Sequence, residues 1–370
     1  MHASSLAIRG LAAGLVVALL APVVSAGQLD LGRVPAGAVW LAHADMDAAR
    51  ESSVVRRMYE RMVKKHPEIE NMAGMVAAMT GMDPRTDVHD ATAYGLDTDK
   101  RHAVMIVHAD VNRGFLEKMV AKARDHATMK HGDYVVHSWK DHHGKTVFGA
   151  FFKDDMLVFA HAADRVKLAL DVLDGKAEAA DAKSPLAGRT RPGSILVARA
   201  SQVDPETKCP VLREGEGFRV AMGEHDGKSF YRARLEMDSA EAADLAEDVV
   251  EGMAATVRLG LGAEPGVRGL VDGLETATKG SICRIAWDAS ADDVWKTVSA
   301  LADKIEVKIE AHLKAKRKAK ACGCEPCGCN DCGKESCGKE GCESGSCPRA
   351  EGSAAAEESD ARRPFDDDEF

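Results

Sequence analysis

Eight cysteines crowd into residues 322–347 of the 370-residue chain: Cys322, Cys324, Cys327, Cys329, Cys332, Cys337, Cys342 and Cys347. They open as C-x-C-x2-C-x-C-x2-C and continue in five-residue steps. Thiolates this closely spaced suit a soft ion, so zinc or copper(I) is the cofactor chemistry they would support. The long spacer of a zinc ribbon is missing, no C-x-x-C is followed by the His that haem attachment requires, and ferredoxin spacing is not met. An oxidising location would instead draw the same thiols into disulfides, with roughly a hundred alternative pairings. Metal capture and cross-linking therefore both stay open.

Histidine supplies a second set of reactive groups. His43, His108 and His161 occupy similar places in AVWLAHAD, AVMIVHAD and MLVFAHAAD, and His137 lies on another strand-like stretch. Were those strands neighbours, the imidazoles could meet around a metal or a substrate; otherwise the likeness reflects repeated strand ends. Asp87, Asp90 and Glu224 are carboxylates that acid–base chemistry could use, while His142 and His143 fall on a turn. No nucleophile elbow, HExxH, phosphate-binding loop or dinucleotide fingerprint occurs. The chain therefore reads as a non-catalytic binding or scaffold protein. The alternative is an exported, hydrolase-like enzyme whose site is assembled from sequence-distant His and Asp residues.

The elements that would position these groups follow from periodicity. Four apolar strands begin near residues 38, 103, 156 and 194, and Asp45, Asp110 and Asp164 stand where a side chain could cap the helix that follows three of them. Residues 134–152 alternate around Asp141-His142-His143-Gly144, and residues 218–239 around Asp226-Gly227, as hairpins do. A helical pair is expected over about 52–80, where Met72, Met75, Met79 and Met82 recur at helical spacing and are expected to fill core. Strand, hairpin and helix then recur in the same order. The fold class is α+β, a duplicated unit of largely antiparallel sheet covered by helices. The first unit is expected over 27–185 and the second over 194–320, closing in a long helix. Residues 321–370 form a Cys-rich, then acidic tail whose lack of apolar residues predicts disorder.

LGRVPAGAVWLAHADMDAARES, the strand end at Tyr94-Gly95 and the helix VVEGMAATVRLG resemble a group of uncharacterised exported proteins of planctomycete-type bacteria, over roughly residues 29–313. The resemblance implies a duplicated α+β envelope protein and brings no activity with it.

Export is also expected from the first residues. Arg9, the apolar run Gly10–Val24 and the exit Val24-Ser25-Ala26 form a signal peptide over 1–26, so the mature chain would be secreted or periplasmic. No later segment is apolar enough to predict a membrane span. The net charge of −10 argues against a nucleic-acid partner. Lys314, Lys316, Arg317, Lys318 and Lys320, within residues 314–320, could contact anionic envelope polymers.

Overall fold

The structure, a computed structural model, describes residues 28–321 except 205, 208 and 263–265. The signal peptide expected over 1–26 and all eight clustered cysteines lie outside the described residues.

Strand β1 (Trp40–Asp45) alternates as a two-faced strand should, burying Leu41, His43 and Asp45. Asp45 ends it and caps α1 (Met46–Glu51), accepting the Ala48 amide at 2.8 Å. Ser52 ends α1 and caps α2 (Ser53–Lys65), after which α3 (Glu68–Thr80) completes the helical pair. The chain returns as β2 (Val88–Gly95) and β3 (Val104–Ala109). Helix α4 (Arg113–Val120) is capped by Asn112 and not by the expected Asp110: Asn112 is the residue directly before the helix, and its Oδ1 accepts the Phe115 amide at 3.1 Å. Four strands follow in a meander, β4 (Ala127–His131), β5 (Tyr134–Lys140), β6 (Thr146–Phe152) and β7 (Met156–Ala160), and then α5 (Ala163–Leu173). Asp164 stands inside the first turn of α5, where it favours the positive end of the helix dipole without capping.

The chain re-enters the sheet as β8 (Ser194–Ala200) and continues through α6 (Pro210–Arg213), β9 (Gly215–His225) and β10 (Lys228–Met237). Asp226 and Gly227 both have positive φ, 49° and 70°, the two-residue turn whose twist matches the flanking strands. Ser239 caps α7 (Ala240–Leu261), and α8 (Val267–Asp272), β11 (Leu274–Lys279), β12 (Ile282–Ser290) and α9 (Ala291–Ala321) follow. From Leu301 onward α9 belongs to a unit separate from the body.

All twelve strands among the described residues form one sheet in the order β11-β12-β10-β9-β8-β1-β2-β3-β7-β6-β5-β4, with every pair antiparallel. The two predicted units thus share a single sheet, joined where β1 pairs with β8. Their cores lie on opposite faces. In the N-terminal wing Leu41, Tyr94, Val104, Ile106 and Val158 pack under α5, through Val166, Ala169 and Leu170. In the C-terminal wing Ala233, Leu235, Cys283 and Ile285 point the other way and pack under α7, through Ala242, Ala243 and Ala246. A third cluster, Leu116, Phe151 and Leu157, holds α4 to the outer face of β6 and β7.

The methionine periodicity proves helical but not inward-facing. Met72, Met75 and Met79 are 59%, 56% and 58% exposed on α3, and only Met82, just past the helix, reaches the interior. Neither α2 nor α3 has a fully buried residue, and spacing alone does not say which side of a helix has a partner. No described helix is long and apolar enough to cross a membrane.

Candidate functional site

The three pattern-related histidines do not meet. β1 and β3 run parallel to each other through the intervening β2, whereas β7 runs antiparallel to β3, so His43 and His108 share one end of the sheet and His161 lies at the other. His43 is buried with its Nδ1 hydrogen-bonded to Thr92 Oγ1 at 2.9 Å. His161 is exposed beyond β7, its Nδ1 3.1 Å from the Thr146 carbonyl oxygen. His142 and His143 are exposed on their turn, as expected.

His108 does join a cluster, with a partner that periodicity did not single out. Its ring lies 5.0 Å from that of His89, the neighbour of Asp90 on β2. His108 Nδ1 is 3.1 Å from Asp90 Oδ2 and its Nε2 3.8 Å from Asp155 Oδ2. His89 sits between Asp47 at 3.2 Å and Asp110 at 3.5 Å. Asp90 has no exposed surface and also accepts from Arg33 Nη1 at 3.1 Å. Each imidazole faces a carboxylate on both sides, an arrangement that fixes ring orientation and ties β2 and β3 to α1 and to the turn before β7. Among the described residues no three His, Cys, Asp or Glu are arranged to hold a metal ion.

The other carboxylates noted in the sequence have structural work. Asp87 accepts the Asp83 amide at 2.7 Å. Glu224, on β9, reaches the start of α2, accepting from Ser52 Oγ at 2.7 Å and from the Ser53 and Val54 amides at 3.1 Å each. Burial would raise its pKa, but these hydrogen bonds outweigh that and hold it below the usual glutamate value.

The remaining histidine of the sequence reading, His137, opens onto different chemistry. Between α4 and the outer faces of β5, β6 and β7 lies a cavity of about 300 Å³, lined almost wholly by apolar side chains including Met82, Leu116, Trp139, Phe151 and Phe159. Gly149 makes room for it: a Cβ there would stand 2.9 Å from the Trp139 ring and 3.1 Å from Phe159. His137 is the polar member of the wall. It is 8% exposed, and its Nδ1 lies 3.1 Å from His126 Nε2. Its Nε2 is shielded from solvent without a hydrogen-bond partner. Burial, reinforced by His126, pushes the His137 pKa below that of an ordinary histidine, so the ring is held neutral. Of the two cysteines in the body, Cys209 is exposed and Cys283 buried, and burial raises the Cys283 thiol pKa.

No protein-family model matches the sequence, and no curated protein matches it. Among the solved structures that align at low similarity are two of the Treponema protein TP0453. Its crystal form III shares 9% identity at a TM-score of 0.42, over 74% of this chain and 99% of that one. Crystal form I shares 10% identity at 0.40, over 74% and 98%.

Proposed function

We propose that this is an exported, non-catalytic binding protein that takes a small, largely apolar ligand in the cavity beneath α4. One observation carries the reading: about 300 Å³ of apolar space with a single unpartnered imidazole nitrogen in its wall. That size lies at the lower end of ligand pockets, and apolar walls with one or two polar groups are their usual composition. A hydroxyl or carboxyl on the ligand would hydrogen-bond His137 Nε2, while its hydrocarbon part displaced no strongly held water.

The thiol-rich tail, Cys322 to Cys347, adds a second capacity in this reading, either for zinc or copper(I) or for disulfide cross-links. Basic residues 314–320 would hold the protein near anionic envelope polymers. A duplicated origin for the body is supported by strand order. β1-β2-β3-β7-β6 runs outward from the join as β8-β9-β10-β12-β11 does, with the β4–β5 hairpin and the α1 to α3 helices as additions to the first wing.

The hydrolase alternative has one observation in its favour, the His89–His108 pair among four aspartates. There, however, each ring nitrogen already faces a carboxylate, which leaves none directed at a nucleophile's proton. The cavity reading is tested by titrating the full chain with 1-decanol, following the intrinsic tryptophan fluorescence and confirming binding by calorimetry. Ala123 also lines the cavity, and saturable binding that Ala123→Phe abolishes by filling the space is the expected result. Absence of binding, or binding indifferent to that substitution, would remove the proposal.

A further inference from the structure

A single row of residues crosses the sheet at right angles to its strands and changes character at the join. On the N-terminal side it runs Leu41, Tyr94, Val104 and Ala160, all buried in the core beneath α5. On the C-terminal side the same row on the same face runs Arg199, Arg219, Arg234 and Arg284, each directly opposite the next on β8, β9, β10 and β12. Like charges directly opposite one another destabilise a sheet, so four arginines in register need an explanation beyond packing.

Their local partners do not neutralise them. Arg199 is 4% exposed, yet it donates only to neutral acceptors, the Leu186 carbonyl and Thr190 Oγ1, both at 2.9 Å. Arg219 donates to the Pro185 carbonyl at 3.1 Å. One carboxylate serves the row: Glu236 Oε1 lies 3.7 Å from Arg219 and 3.1 Å from Arg234. Arg284 is exposed and makes no hydrogen bond or ion pair among the described residues. Beside the row, Arg191 and Arg232 share Asp288, which leaves this face of the C-terminal wing with more guanidinium than carboxylate.

We infer that this face binds a linear polyphosphate chain along the arginine row. Arg199 is buried beneath residues 185–190, so the guanidinium groups open to a ligand are those of Arg219, Arg234 and Arg284; with neighbouring strands about 4.8 Å apart, these three span about 10 Å in a line. A planar carboxylate satisfies one guanidinium fork with its two oxygens. A tetrahedral phosphate directs oxygens several ways at once, and so bridges forks on adjacent strands. Glu236 already shows the bridging position, with one oxygen between Arg219 and Arg234. Arginine throughout the row, without lysine, fits recognition by fork geometry in addition to charge. The surface is separate from the cavity beneath α4 and does not depend on it.

The test is calorimetric titration of the full-length protein with inorganic polyphosphate at about 50 and about 200 mM salt. Affinity should fall with salt, and the double variant Arg234→Gln/Arg284→Gln should weaken binding roughly tenfold or more, equal to about 1.4 kcal/mol. Arg284→Lys, which keeps the charge and loses the fork, should lose part of that affinity. A thermal melt of each variant establishes that the sheet is intact. Neutralising Lys314, Lys316 and Lys318 to Gln should leave most of the binding. Unchanged affinity in the double variant, loss of binding in the lysine variant, or equal affinity for polyglutamate would each overturn the assignment. So would capture of anionic phospholipid vesicles by a protein that ignores polyphosphate.

Discussion

Replacing His137 with phenylalanine tests the titrating part of the cavity wall. The substitution keeps a flat ring in place while removing both nitrogens. It gives up the contact with His126, a hydrogen bond worth roughly 0.5–1.5 kcal/mol, and abolishes an unpaired buried nitrogen that costs roughly 1–3 kcal/mol. At about pH 8 the variant should therefore match the parent within about 1 kcal/mol, or exceed it. Acidification separates the two. Burial depresses the folded-state pKa of His137, whereas the unfolded chain titrates near the ordinary value of about 6.5. The unfolded state thus takes up the proton first, so the contribution of His137 is complete above about pH 6.5 and is lost as pH falls through the folded pKa. One proton is involved, which limits this part of the slope to about 1.4 kcal/mol per pH unit. Urea unfolding followed by circular dichroism between about pH 8 and pH 5 supplies the comparison, with a shallower pH slope expected for the variant. Identical slopes would show that the ring is not held neutral by its surroundings. A parent markedly more stable than the variant at the upper pH would show that Nε2 has a partner after all.

Two further outcomes follow from contacts and composition. Glu224→Ala removes three hydrogen bonds at the start of α2 and should destabilise the fold by about 2 kcal/mol, read as a lower melting temperature. Because its pKa is depressed, the contribution of Glu224 is present above about pH 4.3 and disappears as pH falls through the folded value; equal melting of parent and variant at neutral pH would contradict the capping role. The reduced full chain should take up zinc or copper(I), measured by metal analysis after gel filtration, and deletion of 322–370 should abolish the uptake while shifting the melting temperature by less than about 2 °C. Retained uptake in the deletion would move the metal chemistry into the body.

What was legible in the sequence was local. Asp226-Gly227 announces a turn because few dipeptides adopt two positive φ angles, and Asp45 announces a cap because its side chain needs only the amide three residues on. Asp110 looked the same in pattern and lost the role to Asn112, a competition that a two-residue shift decides. The histidine likeness failed for a related reason: similar strand endings carry no information about strand direction, and direction separates His161 from His43 and His108. His89 went unnoticed because its meaning comes from Asp47 and Asp110, on other elements. The arginine row depends on register across four strands spread between residues 194 and 290, which no short window contains. A run of alternating Arg in YRARLEMDS was visible, but its neighbours were not.

The seam between β1 and β8 has a consequence for how this protein can change over generations. At the seam the two wings meet through main-chain hydrogen bonds, which any residue but proline can make, with Glu224 of β9 tied to the start of α2 beside it, and their cores face away from each other. A methylene gained or lost beneath α5 therefore needs no matching change beneath α7, because side chains that share no contacts act almost independently. Each wing is free to drift, acquire a cavity or exchange an apolar row for a charged one, so long as the seam and the Glu224 contact with α2 are kept.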